Sequence, residues 1–335
     1  MVTTTSQPEV GAARVSPTAV LHTVDGPVAD PTRDQLLAAL AAPGDVWLDL
    51  TDPDEPGLRT LGDDLGLHPL IVEDAIAFGR RLGIASVGEC TQAILRALTG
   101  PDDELVEVHV LHCHGAVVTV RHGPCDPIDE VASWTRLDAE LGRGARYVLF
   151  RVLLALADSY LPALESISDR LDDLEDEVFA DVAPDQLVEL TTLRRTLAGY
   201  RRGIVPLRNR LAGGASIMLR ELSDPDRDVE RYARDLYDQL VHVAEAIDAQ
   251  RDHIESVMDV YLSMVSNSQN QVMKQLTVVA TVFLPLSFVV GFFGMNFAFM
   301  VRNINSAPAF WVLGIGVQVA TVVLRVWLFK RRQWV

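Results

Sequence analysis

The sequence predicts an α+β membrane protein, with an α/β part first, long helices next, and two membrane-crossing helices at the C-terminal end. Three observations predict it. Two apolar runs, residues 276–293 (18 residues) and 309–329 (21 residues), match the roughly 20 residues a helix needs to cross the hydrocarbon core. The texture changes at Arg146, from mixed short elements to long segments rich in Leu, Ala, Asp, Glu and Arg. The charge is unevenly divided: 46 Asp and Glu oppose 29 Lys and Arg, yet no acidic residue follows Asp259.

Taken in order, residues 1–17 hold Thr, Ser and Pro without an apolar core, and read as a disordered tail and not a secretion signal. Residues 18–145 read as an α/β domain. In it "VWLDL" (46–50), "LVEVHVLHCHG" (105–115) and "AVVTVRHG" (116–123) have strand character, and "HPLIVEDAIAFG" (68–79) has helical character. Residues 146–227 read as a helical hairpin, with breaks at Val182-Ala183-Pro184 and across 212–225. A long helix follows over 228–293. Its one internal breaker, Pro285, lies in the apolar run, where proline is tolerated. At 1.5 Å per residue this helix is about 100 Å long. A short loop (294–308), the second span (309–329) and a basic tail (330–335) complete the chain.

Topology follows from the basic cluster Lys330-Arg331-Arg332, which puts the C-terminus on the cytoplasmic side. Two crossings then put the large N-terminal body on that side too. Nucleic acid is a poor partner for so acidic a body, because phosphates need a basic face. No glycine-rich phosphate loop is present, so nothing supports a nucleotide-driven mechanism, and no motif points to a catalytic nucleophile. Cys90, Cys113 and Cys125 have no paired spacing and read as reduced thiols. His109, His112, His114 and Cys113 invite a transition-metal reading, but strand alternation puts His112 and His114 on one face and Cys113 on the other.

The long helix carries the function. Steps of three and four trace one face through Asp252, Ser256, Asp259, Ser263, Ser266, Asn270, Met273, Thr277, Ala280, Leu284, Ser287 and Gly291. A seam of this spacing faces its copies in a parallel bundle. Here it is mostly polar or small, whereas Val243, Ile247, Ile254, Val257 and Tyr261 form a separate apolar stripe. Two readings stand for Asp252 to Ser266: an ordinary solvated face, or a bundle surrounding water. Asn270, Thr277 and Ser287 carry the same stripe into the membrane, where polar groups face protein or water unless they bond to their own helix backbone.

At the outer end of the first span stands Gly294-Met295-Asn296, followed by Phe297. With "DVYLSMVSNSQNQVMKQLTVVATVFLPLSFVVGFFGMNF" (259–297), "LHPLIVEDAI" (67–76), "RDLYDQ" (from Arg234) and the closing "KRRQW", the sequence resembles the CorA family of divalent-metal channels over most of its length. The resemblance implies a homopentamer, a cytosolic funnel of long helices, and a pore lined by the first span of each subunit. It implies a selectivity filter at Gly294, Met295 and Asn296, which would hold a hydrated ion weakly through neutral oxygens. An apolar constriction would be formed by Met273, Leu276, Ala280 and Leu284, with Asp259 as an acidic ring near the membrane. Regulatory magnesium would bind Glu73, Asp74 and Asp235 at the subunit interface. The substrate class is magnesium, with cobalt or nickel beside it. The alternatives are a zinc transporter resembling ZntB, or a membrane-anchored coiled-coil sensor that conducts nothing. One departure keeps the zinc reading open: many family members continue with Met-Pro-Glu-Leu, but here Val301, Arg302 and Asn303 follow Met300, and residues 294–308 contain no acid.

Overall fold

The computed structural model describes residues 18–42, 45–79, 82–134, 141, 143–221, 227–295, 298–303 and 306–331. The expected tail, Asn296, Phe297 and Arg332 lie outside them. Two compact units are present. One comprises Met1–Leu174 and Asp185–Val257, the other Glu175–Pro184 and Met258–Val335.

The first unit is built on a seven-stranded sheet of order β2-β1-β3-β7-β6-β5-β4, formed by β1 (Ala19–Thr23), β2 (Gly26–Ala29), β3 (Val46–Thr51), β4 (Gly83–Val87), β5 (Cys90–Thr99), β6 (Glu104–Cys113) and β7 (Ala116–Arg121). Only β3 and β7 pair in parallel; every other neighbour is antiparallel. The central strands β3 and β7 are buried almost throughout, which explains their near-continuous apolar sequences. Leu48, Leu50, Leu111, Cys113, Ala116, Val118 and Val120 pack with Leu36, Leu58, Leu61 and Ile71 from helices α1 (Arg33–Ala41), α2 (Glu55–Asp64) and α3 (Pro69–Ala77). Each of these short helices has a defined start. Thr32 and Gln35 form a capping box, the Asp54 carboxylate accepts from the Gly57 N–H at 3.0 Å, and His68 Nδ1 accepts from the Leu70 N–H at 3.2 Å.

A polar chain runs between β3 and β7. Trp47 Nε1 donates to Thr119 Oγ1 (3.1 Å), Thr119 donates to Asp49 (2.5 Å), and Arg121 joins Asp49 (2.9 Å) to Asp129 (2.6 Å). Asp129 lies on α4 (Asp126–Ala132). The buried Asp49 carboxylate thus has two partners, as burial demands, while Arg121 Nε is left without one. Helix α5 (Ala145–Asp158) is largely buried, with Val148, Phe150, Val152, Leu153, Leu156 and Ala157 fully covered.

Helices α6 (Tyr160–Ala180), α7 (Pro184–Glu221) and α8 (Arg227–Phe293) follow. The expected break at Val182-Ala183-Pro184 falls between α6 and α7. The break expected across 212–225 does not begin at Ala212, because α7 stays helical through Gly213-Gly214 to Glu221. Two glycines cost a helix about 2 kcal/mol together, too little to end one this long. Arg170 grips Glu189 with two bonds (2.6 and 2.8 Å), and Arg201 meets Asp248 at 3.0 Å, tying α6 to α7 and α7 to α8. The apolar stripe of α8 is fully used: Val243, Ile247, Ile254 and Val257 are wholly buried and Tyr261 nearly so. Each such aliphatic side chain contributes roughly 1.5–3 kcal/mol by leaving water.

In the second unit, α8 runs through Pro285 to Phe293 without interruption. Helix α9 (Ala298–Asn303) follows, and α10 (Ala307–Arg331) contains a π-helical stretch at Phe310–Gly316. Among the described residues, three helical stretches are long and apolar enough to cross a membrane: Ala145–Ala180, Glu230–Phe293 and Ala307–Arg331. The first has 67% of its apolar window buried inside the protein, while the other two have none buried.

Candidate functional site, the α8 face and its outer end

All twelve positions of the seam, from Asp252 to Gly291, are exposed in the single chain. Met273, Leu276 and Leu284 are 61%, 61% and 76% exposed, too much apolar surface to leave in water. The half-covered residues of the same segment are Val278, Thr281, Val282, Pro285, Leu286, Val289 and Phe293. At 3.6 residues per turn their face lies about 150° around the helix from the seam. One side of α8 is thus covered by the chain itself, and the opposite side, carrying the polar and small residues, is open.

Three hydroxyls on this helix bond to their own backbone. Ser263 donates to the Asp259 carbonyl (2.8 Å), Thr277 to Met273 (2.7 Å) and Thr281 to Thr277 (2.6 Å). This back-bonding lets Ser and Thr occupy an apolar segment without an outside partner. Asn270 has no such bond, and its exposed amide is available to water or to another chain.

Helix α8 closes with the Gly294 N–H donating to Val290 (2.9 Å) and the Met295 N–H to Phe292 (3.4 Å). Among the described residues, no donor reaches the carbonyls of Gly291, Phe293 or Gly294. These oxygens carry the negative end of the helix dipole, equivalent to about half an elementary charge, which favours a cation. A Cβ on Gly294 would stand 3.0 Å from the Val290 carbonyl, so any other residue here would make that carbonyl give way by a few tenths of an ångström. Asn296 lies outside the described residues. Arg302, on α9, is exposed.

The carboxylates are dispersed. Glu73 and Asp74 lie on α3, the former exposed and the latter half-buried, and Asp235 is exposed on α8. These three do not gather around one point within a chain. Asp235 does act on a residue that sequence reading missed. Asp158, at the end of α5, has a raised pKa because it is partly buried and faces the charges of Asp235 and Glu130, although it accepts a bond from the Gln239 amide (2.5 Å). Its signal in the sequence is weak, since only the packing of α5 on α8 makes it a neighbour of Asp235.

Two expectations are corrected. Cys90 and Cys113 form a disulfide, with Cα atoms 4.5 Å apart, because the β5/β6 register that pairs Thr91 with His112 sets them opposite each other. Only Cys125 is a free cysteine, and burial pushes its thiol up to about 11. Nor does His114 share the face of His112. His114 (φ 48°) and Gly115 (φ 80°) make the tight turn between β6 and β7, which ends strand alternation at Cys113 and brings the His114 ring beside the two sulfurs. His109 is fully buried and bonded to Glu107 (3.2 Å), and His112 is held neutral by burial and by Arg146.

Comparison with known proteins bears on the whole chain. The family model described as "CorA-like Mg2+ transporter protein" matches residues 44–331. The "Cobalt/magnesium transport protein CorA" of Thermotoga maritima is 30% identical over 300 residues, covering 86% of this chain and 83% of that protein. The "Zinc transport protein ZntB" of Yersinia pseudotuberculosis is 27% identical, covering 80% and 81%. Among solved structures, that of the CorA magnesium transporter from Methanocaldococcus jannaschii shares the fold, with a TM-score of 0.78 at 20% identity, covering 95% of this chain and 99% of that one. With a family model matched from the first central strand to the end of α10, and with a 30% identical relative covered over most of its length, the chain belongs to the CorA-like Mg2+ transporter family.

Proposed function

We propose that the chain forms a homopentameric channel for hydrated divalent cations, magnesium first and cobalt or nickel beside it, in the cell membrane with both termini cytoplasmic. One observation carries this: a continuous, polar-to-small face of α8 stands open and ends at carbonyl oxygens to which no described residue donates. Five such faces around an axis would enclose water. Asp259 would form an acidic ring at the inner mouth, with Asn270, Thr277, Ser287 and Gly291 lining the path. Met273, Leu276, Ala280 and Leu284 would make the stretch that closes by dewetting. Gly294, Met295 and Asn296 would meet the ion at the outer end. Magnesium gives up its water shell reluctantly, so neutral oxygens that bind those waters suit passage better than carboxylates would. In this assembly the apolar window of Ala145–Ala180, mostly buried in the protein, serves as core, leaving two spans per chain.

Glu73, Asp74 and Asp235 offer the hard oxygen donors that magnesium prefers, but they do not converge within a chain. A regulatory site would therefore take donors from two subunits and hold them together while internal magnesium is high. Binding the closed state alone shifts the population toward it.

A zinc-transporting role is the second reading, favoured by Arg302 in an outer loop without acid and by the ZntB relative. Uptake of magnesium and of zinc into proteoliposomes tests both. Magnesium uptake that zinc does not outcompete supports the first reading, preferred zinc uptake supports the second, and no uptake of either ion overturns conduction.

A further inference from the structure

Two hairpin turns lie side by side at one end of the sheet: Gly88-Glu89 between β4 and β5, and His114-Gly115 between β6 and β7. Cys90 directly follows the first turn and Cys113 directly precedes the second. The sulfurs of this pair and a ring nitrogen of His114 all lie within 4.8 Å of one another, the only such grouping of metal-ligating side chains among the described residues. The Glu89 carboxylate stands 3.7 Å from His114 Nδ1, and the Leu65 carbonyl lies 3.9 Å from Cys113 Sγ. Both cysteines are buried, whereas the His114 and Glu89 side chains are 56% and 84% exposed, so the cluster opens to solvent on one side.

We propose that Cys90, Cys113 and His114, with Glu89 beside the imidazole, form a redox-controlled site for a thiophilic divalent ion of the zinc class. None of its residues belongs to the proposed conduction path, and it is independent of the transport reading. In the oxidised state shown here the sulfurs are bonded to each other and offer no thiolate. An external dithiol reductant donates two electrons and two protons to the disulfide, giving two Cys thiols, and leaves as its own disulfide. The divalent ion then displaces the two thiol protons to water and bonds both thiolates and the imidazole. Ligand atoms on one tetrahedral zinc stand about 3.4–3.8 Å apart. Reduction would have to part the sulfurs, and the imidazole would have to approach by on the order of an ångström. Two thiolates neutralise the ion's charge, and the exposed side leaves room for water or the Glu89 carboxylate as fourth ligand. Magnesium prefers hard oxygen donors and does not compete for sulfur. The turn is what makes the site: had β6 continued in regular alternation, His114 would point away from Cys113.

Cobalt(II) is a suitable probe, because its bonds to thiolate produce a charge-transfer absorption that oxygen ligands in a pore do not. The full chain in detergent is reduced, freed of reductant without air, and titrated with cobalt. The reduced wild type is expected to show the absorption with saturation at a single cobalt per chain, to lose it to an equivalent of zinc, and to keep it in a large excess of magnesium. The oxidised protein should show none. Cys90→Ser and Cys113→Ser should abolish the band and Cys125→Ser should keep it. His114→Asn, which tolerates the positive φ, should weaken cobalt binding by at least about tenfold. A folded, reduced wild type without the band overturns the site, as does a band that survives Cys90→Ser, is lost in Cys125→Ser, or is unchanged in His114→Asn.

Discussion

The Thr277 hydroxyl donates to the Met273 carbonyl at 2.7 Å, one turn back on the same helix, whereas Asn270, two turns before Thr277 on the same open face, makes no bond to its own helix. Two polar residues on one seam therefore differ in what they offer an ion. Thr277→Val removes a hydroxyl that its own backbone already satisfies, and should leave divalent uptake within about twofold of wild type. Asn270→Leu removes an unpaired amide from the proposed water-lined face and is expected to cut uptake at least about tenfold, because a hydrated ion crossing an apolar ring loses its partners. Equal effects from the two substitutions in a proteoliposome assay would count against the pore face.

At the outer end, Gly294→Ala would place a methyl 3.0 Å from the Val290 carbonyl and force the helix terminus to shift. Asn296→Ala would remove the amide oxygen proposed to hold the ion's waters. Each should reduce selective uptake by about tenfold or more without changing oligomer size by gel filtration, since both positions fall outside the sequence of the α/β domain. Unchanged uptake in both variants would remove the filter from Gly294-Met295-Asn296.

For regulation, Asp235→Asn should leave flux less inhibited by internal magnesium. The substitution takes one negative charge from a site proposed to clamp two subunits. It also removes one of the charges that raise the Asp158 pKa. Inhibition by magnesium loaded inside the vesicles, measured for both proteins, is the test. An inhibition curve that superimposes on wild type would place Asp235 on an ordinary solvated surface.

His112 supplies a pH dependence. Burial and the Arg146 charge push its pKa down to about 4, against a reference of about 6.5. Between those values the unfolded chain binds a proton that the folded chain does not. Stability is therefore full above about pH 6.5 and falls as pH drops toward 4, by up to a few kcal/mol for this group. His112→Gln cannot charge, so its melting temperature, followed by tryptophan fluorescence, should fall less than wild type between pH 7 and 4.5. Parallel declines would show that other groups dominate.

Much of this architecture is legible because it is periodic. The buried stripe Val243, Ile247, Ile254, Val257 and the open seam on α8 are both spaced by three and four, and β3 and β7 are short apolar runs bounded by turns. Contacts that depend on register were not legible. Cys90 and Cys113 are 23 residues apart and become neighbours only through the β5/β6 pairing. His114 was misplaced because alternation was carried one residue too far into a turn that requires positive φ at both positions. Gly213-Gly214 looked like a terminator, but local propensity is weak against a helix already formed on either side.

Arg302 tests the outer mouth. It is exposed on α9, and residues 294–308 contain no acid to offset it. In a homopentamer, five copies would ring the entrance with positive charge, opposing the carbonyl dipoles at the end of α8. Such a ring lowers the local concentration of divalent cations and slows capture, and added salt screens it, with a Debye length of about 30 Å at 0.01 M falling to about 8 Å at 0.15 M. Arg302→Glu should therefore raise uptake severalfold at low ionic strength and much less near physiological salt. If Arg302 instead anchors to lipid phosphates, an interfacial role common for arginine, the charge reversal changes membrane insertion and leaves the salt dependence of uptake as it was. Uptake rates measured at the two ionic strengths, normalised to inserted protein, separate the two positions of the side chain.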